Sequence, residues 1–371
     1  MRLPYGQALC LMILCSASFA GGTDASHGSA GGGSAGELAP SARVQPAPRA
    51  PVRPPVEVTA LGPGHLVPAK TASRSLSARL SVPIGLPPVD ASGGQFFTLD
   101  VPGAVATVCN SIVDAEAFQV LATAGHFTTP DGEVFGWLFD YSFYSVGVLG
   151  ASFTSVNHTF VDAFLGTFDT SENLGVGCLS PGSGPCRSFG FSYEIGFQEQ
   201  FLPPQFGTDD VFFRSCCGAS TFPDGIVRGH ASVPALIVVH PPGAVYSYAR
   251  GSGSRGGASQ GVVGRYDTAD GVTHGYLRTV SGQYETIDVP DAIATIANDG
   301  SSGPIQTIVG EFVDQDGVTH GFVLTDGTFE GVDFPDAVHT AVKSTTNTQS
   351  FGLCGSYIDA DGNEHGFVFR R

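Results

Sequence analysis

From Gly94 onward the chain falls into short runs such as "QYETIDV", "TIAN", "QTIVGEFV" and "THGFVLT", in which apolar and polar residues take turns between Gly, Asp and Pro. That pattern predicts half-buried β-strands joined by tight turns. No stretch sustains a 3.6-residue apolar period, so no helix is expected beyond the N-terminus. One phrase returns: "YDTADGVTHGYLRTVSG" from Tyr266, "VDQDGVTHGFVLTDG" from Val313 and "YIDADGNEHGFVFRR" from Tyr357. Each reads as strand, Asp-Gly turn and a second strand with a His-Gly pair.

The phrase closes a longer repeat. Each unit opens with a strand running into a Pro-Gly/Asp-Ala turn: "GQFFTLDVPGA", "GQYETIDVPDA" and "GTFEGVDFPDA", with weaker copies "SFYSVGVLGA", "EQFLPPQFG" and "ALIVVHPPGA". The closing glycines are Gly136, Gly190, Gly229, Gly275, Gly321 and Gly366, spaced by 54, 39, 46, 46 and 45 residues. Six units of about 46 residues, four short strands each, predict an all-β fold: a β-propeller of six four-stranded blades. The units lie near 94–139, 140–193, 194–232, 233–278, 279–324 and 325–371. One unit cannot bury both faces of its sheet, whereas stacked units can. The competing architecture is a β-solenoid or open repeat array, whose coils are usually shorter.

"IDVPDA…IVGEFVDQDGVTHGFV" resembles the extracellular HAF-type repeats of environmental bacteria, themselves expected to form propellers. The resemblance spans 94–371, strongest in units five and six and at the start of unit one. It implies a secreted or surface protein and carries no catalytic residues with it.

Composition adds the export signal. Arg2, the apolar "ALCLMILC" and the small residues of Ser18-Phe19-Ala20 read as a signal peptide over 1–20, so a secreted, periplasmic or cell-surface location is expected. The run is too short to span a bilayer. A lipoprotein alternative would use Cys15, but Leu14 sits where a small residue is wanted. Residues 21–93 are rich in Gly, Ala, Ser and Pro and read as a disordered tether. Net charge is −17, and the part after residue 94 carries ten basic and thirty acidic residues, which argues against a nucleic-acid partner.

Beyond the signal, six cysteines are compatible with disulfides. Cys178 and Cys186 flank a tight loop and are the expected pair. Cys216-Cys217 is either a vicinal disulfide or two separately paired residues. A Cys109–Cys354 bond would join the first unit to the last. No spacing matches zinc.

Three constellations bear on function. Asp314-x-Asp316-Gly317 and Asp359-x-Asp361-Gly362 offer two carboxylates in a turn, enough to suggest calcium. The plainer reading is an Asp-Gly hairpin whose Asp bonds its own backbone. His274, His320 and His365 recur once per unit, which favours local turn ordering. Aligning the opening strands superposes Asp100, His240, Asp288 and Asp333. Were that strand innermost, the four would ring a channel mouth and hold a ligand or divalent cation. Asn157-His158-Thr159 fits a glycosylation sequon. The leading functional expectation is a non-enzymatic exported module binding a protein or glycan. The alternatives are a metal-assisted hydrolase or lyase on carbohydrate or lactone and a purely structural surface module. Irregular units two and three are where specificity is expected.

Overall fold

The structure is a computed structural model. It describes residues 56–63, 67–68, 94–115, 120–140, 142–148, 151, 153–159, 163–169, 188–194, 200–202, 210–214, 217–232, 236–253, 261–301, 307–346 and 351–370. All of them lie in one compact unit, Val52–Arg371. The fold is all-β, with no helix among the described residues.

The strands pair as six antiparallel meanders. The first comprises Ala106–Ala115, Val120–Thr128, Val134–Asp140 and Ser142–Val148; the second Thr154–Thr159, Ala163–Asp169, Ser188–Glu194 and Gln200–Leu202. The third comprises Asp210–Arg214, Cys217–Thr221, Val227–Ser232 and Leu236–Val239; the fourth Tyr246–Gly253, Gly261–Asp267, Thr273–Arg278 and Tyr284–Ile287. The fifth comprises Ala294–Ser301, Thr307–Val313, Thr319–Thr325 and Thr328–Val332, joined to the fourth by one parallel bridge, Thr273↔Ala294. The sixth takes His339–Thr345, Gly352–Ile358 and Glu364–Arg370 from the end of the chain. Its fourth strand is Gln95–Leu99, which pairs in register with the last strand from Gly366↔Leu99 to Arg370↔Gln95.

The sheets are therefore out of phase with the sequence repeat by one strand. The strand that opens each sequence unit completes the preceding meander, and the opening strand of unit one completes the last. The first strands touch one another in succession, and the sixth meander's first strand touches that of the first meander.

The core lies between sheets. Val309 and Val323 of the fifth meander pack with Val342, Leu353 and Phe367 of the sixth. Cys109 and Ile112 of the first pack with Cys354 and Val368 of the sixth. Val263 and Leu277 of the fourth pack with Ala297 and Ile308 of the fifth. A single sheet has no such partner surface, which is why the repeat must be iterated. The closing glycines follow from this packing. A Cβ on Gly321 would lie 2.6 Å from Val342 Cγ2 and 2.9 Å from Val332 O, and one on Gly366 would lie 2.5 Å from Leu99 O.

Two expectations change here. The stretch 21–93 is not wholly a tether, because Val56–Pro63 adds to the edge of the first sheet against Ser142–Val148 and Val67–Pro68 pairs with Gln95–Leu99. Its overall composition hides the local alternation in "VEVTALGP". Cys109 and Cys354 share one apolar cluster but form no disulfide. Cys109 Sγ instead donates to Ser111 O at 3.5 Å. Cys217 is disulfide-bonded, whereas Cys178, Cys186 and Cys216 lie outside the described residues, as does the signal peptide.

Candidate functional site

Two sets of polar residues stand out. The first sits at the turn ends of the sheets. In the fourth, fifth and sixth meanders the second residue of the third strand is a His, and the fourth strand runs into an Asp. His274 Nδ1 meets Asp288 Oδ2 at 2.9 Å, His320 Nδ1 meets Asp333 Oδ1 at 2.9 Å, and His365 Nδ1 meets Asp100 Oδ2 at 2.9 Å. The other ring nitrogen of His320 reaches Asp314 Oδ2 at 3.3 Å, and that of His365 reaches Asp359 Oδ2 at 3.2 Å. An aromatic neighbour on the second strand stacks on each imidazole: Tyr266, Phe312 and Tyr357, with centroids 5.1, 5.3 and 5.0 Å away. Burial pulls the pKa of His320 and His365 down, but the bonds and charges of their two carboxylates outweigh it and raise both above the usual value. The pair in the sixth meander, His365–Asp100, spans the two ends of the folded chain.

The Asp-Gly turns bond themselves. Asp314 Oδ1 accepts from the backbone N–H groups of Asp316 and Val318, and Asp359 Oδ1 from those of Asp361 and Asn363. These are side-chain-capped turns. The backbone and side chain of Asn363 hold Asp359 well below the usual carboxylate range. Among the described residues, no group of three His, Cys, Asp or Glu side chains is arranged to hold a metal ion.

Asp100, Asp288 and Asp333 thus each meet the His of their own meander, and their strands lie fourth in the sheets while the first strands meet one another. The condition for a shared ring, an innermost opening strand, is not met. His240 holds the equivalent place in the third meander, where Nδ1 lies 2.8 Å from Ser247 Oγ and the backbone N–H donates to Tyr284 Oη at 3.0 Å. Burial, then the Arg228 charge, lowers its pKa.

The second set lies where the first strands meet. Every first strand carries a β-bulge at the same repeat position. The register slips between Cys109 and Ser111, Val156 and His158, Phe212 and Arg214, Ala249 and Gly251, Ala297 and Asp299, and Val342 and Ser344. The extra residues are Asn110, Asn157, Phe213, Arg250, Asn298 and Lys343. A bulge re-aims one side chain without breaking the ladder on either side.

The polar ones bond across to the next meander. Asn110 Nδ2 donates to Ser155 Oγ and Val156 O, both at 3.1 Å. Arg250 Nη1 donates to Asn298 Oδ1 at 2.9 Å, and Asn298 Nδ2 to Val342 O at 2.8 Å. Lys343 Nζ reaches back to Glu311 Oε2 at 2.7 Å. Burial alone would raise Glu311, but the charges of Lys343, Arg250 and Arg265 hold it below its usual value. Burial, helped by the Lys343 charge, pushes His126 down to about 4. Beside Glu311 a cavity of about 230 Å³ is lined by Ala294, Ile296, Phe312, Val313 and Thr319. The sequon residue Asn157 is also in this set, its Oδ1 accepting from Ser155 Oγ at 2.7 Å.

Sequence reasoning missed this second set, although its signal is present. "TVCNSIV", "TSVNHT", "YSYARGSG", "TIANDGS" and "TAVKSTT" each place a polar residue inside an otherwise alternating strand at one repeat position.

No family model matches the chain, and no curated protein does. Among solved structures, the chain is similar to a protein of unknown function from Dyadobacter fermentans DSM 18053, at 10% identity over 73% of this chain and 100% of that one, with a TM-score of 0.36. It is also similar to the subtype N11 neuraminidase-like protein of A/flat-faced bat/Peru/033/2010 (H18N11), at 9% identity over 84% and 96%, with a TM-score of 0.38. A glycoside hydrolase aligns at 8% identity over 85% of this chain and 91% of its own, with a TM-score of 0.33. At such scores no activity passes from these proteins to this one.

Proposed function

We propose that the chain is an exported six-bladed propeller of the HAF-type repeat kind and that it works as a binding module. The strand pairing supports the propeller. The six meanders are alike, their first strands touch in succession, and Gln95–Leu99, from before the first meander, completes the sheet of the last strands. Closure of that sort leaves only short edges. The signal-like N-terminus and the disulfide at Cys217 support export.

One observation carries the binding role: the six bulges at one backbone position hold three Asn, one Phe, one Arg and one Lys on an otherwise repeating scaffold. A purely structural repeat has no need to vary that residue. The ligand class is a glycan or a protein segment that enters where the first strands meet. The test is a glycan and peptide binding screen with the full chain, repeated with Asn110→Ala and Asn298→Ala. Saturable binding weakened by both variants while the fold persists is expected. A ligand whose affinity ignores both variants would place recognition elsewhere.

A further inference from the structure

The Nε of Arg265 has no hydrogen-bond partner among the described residues. The residue lies on the second strand of the fourth meander, directly opposite Tyr248 on the first. Its guanidinium carbon sits 4.4 Å from the Tyr248 ring centroid. That Nε is also shut off from solvent. A guanidinium presents five donors in a planar fork. Leaving a buried donor unmade costs more than an ordinary hydrogen bond returns.

The surroundings deepen the deficit. Arg250, on the neighbouring strand, donates to Asn298 Oδ1 at 2.9 Å. Burial drives its pKa down to about 10, and of the nearby charges Glu311 opposes the fall while Arg265 adds to it. The carboxylate that both arginines feel, Glu311, is held by Lys343 Nζ at 2.7 Å. Three cations therefore act on Glu311 in a protein of net charge −17. Like charges gathered against the overall charge are held there at a cost in stability.

We infer that Arg265, stacked on Tyr248 beside Arg250, binds a ligand oxyanion, either a carboxylate or a phosphate, in the fork of its guanidinium. The oxyanion accepts from the outer N–H groups of the guanidinium and offsets its repulsion with Arg250. The rest of the ligand lies against the first strands. This inference rests on the binding-module reading and names the chemistry of its ligand.

The test titrates the full chain at low ionic strength with inorganic phosphate, glucuronate and glucose, beside the variant Arg265→Met. At least one of the two anions is expected to bind saturably, ten-fold or more tighter than glucose, and to weaken as salt is added. Whichever anion binds better identifies the source of the oxyanion. Arg265→Met should lose that binding ten-fold or more while unfolding at the same temperature or higher, because an unsatisfied charge has gone. Three results would overturn the inference: neither anion binds, Arg265→Met binds as well as the parent, or Arg265→Met lowers the unfolding midpoint as a structural residue would. Glucose binding that Arg265→Met leaves untouched would also sink it, while leaving the binding-module reading standing.

Discussion

At the turn ends of the sheets, His274, His320 and His365 stand in one arrangement three times over, each between an aromatic ring and an Asp. Where the first strands meet, Asn110, Arg250, Asn298 and Lys343 share one backbone position, yet their partners differ: a hydroxyl, an amide, a carbonyl and a carboxylate. Both regions recur with the sheet, but only the first repeats its chemistry. In the fourth, fifth and sixth meanders the His–Asp pairs fix the turn end of the third strand against the fourth. The bulges fix only a direction, which leaves the residue itself free to vary.

The comparison breaks most visibly at Glu311. Glu311→Gln leaves Lys343, Arg250 and Arg265 without their shared carboxylate, and the loss should be about 3–5 kcal/mol in chemical denaturation. Adding Lys343→Met should recover part of it, and full additivity of the two would mean that the pair is not coupled. Gly321→Val should cost about 3 kcal/mol, since the added carbons meet Val342 and Val332. It tests the shared scaffold, where Glu311 tests the variable part.

The pH dependence separates the doubly paired histidines His320 and His365 from His126 by sign. His320 and His365 have raised pKa values in the folded state, so their pairs contribute fully below the unfolded value of about 6.5 and fade as pH rises through the folded values. His126, on the second strand of the first meander beside Asn110, is lowered to about 4, so stability falls as pH drops from about 6.5 towards that value, by about 3 kcal/mol in all. Unfolding midpoints between pH 4 and pH 9 should show both limbs on the scale set by these values. The double variant His320→Gln and His365→Gln should flatten only the alkaline limb. Flattening of the acid limb as well would mean that the two regions are electrostatically one.

Smaller effects sharpen the account of the turns. Asp336 holds φ 62° in the Pro-Asp-Ala turn, at the place where Gly103 and Gly243 stand in other units. Asp336→Gly should stabilise by a few tenths to about 1 kcal/mol, because glycine adopts that conformation without Cβ strain. Calcium should have the least effect of all, as Asp314 and Asp359 already accept from their own turns. A site binding calcium at a hundredfold excess over its Kd would raise stability by about 2.7 kcal/mol, so a midpoint that rises on adding calcium and falls with chelator contradicts this reading.

Much of the architecture was legible because strand alternation, Asp-Gly turns and the near-46-residue period are properties of neighbouring residues. The phase of the sheets was not. "GQFFTLDV" looks like the start of a unit, and only its pairing with Glu364–Arg370 reveals it as the end of another. The partnership of His365 with Asp100, 265 residues apart, was hidden for the same reason, although both residues were singled out separately. Arg265 and Glu311 carry no local motif at all. What marks them is the charge they meet across sheets, and a linear reading does not contain that distance.

The measurement that tests the account most directly is native-state hydrogen exchange over Gln95–Leu99 and Glu364–Arg370, in the full chain and in a variant lacking residues 95–99. If the N-terminal strand closes the last sheet, the two segments are protected together in the full chain, and deletion exposes Gly366 to Arg370 while shifting the first meander. Exchange of Gln95–Leu99 at open-chain rates, with the last strand unaffected by its removal, would contradict a closed ring of six sheets and favour an open array.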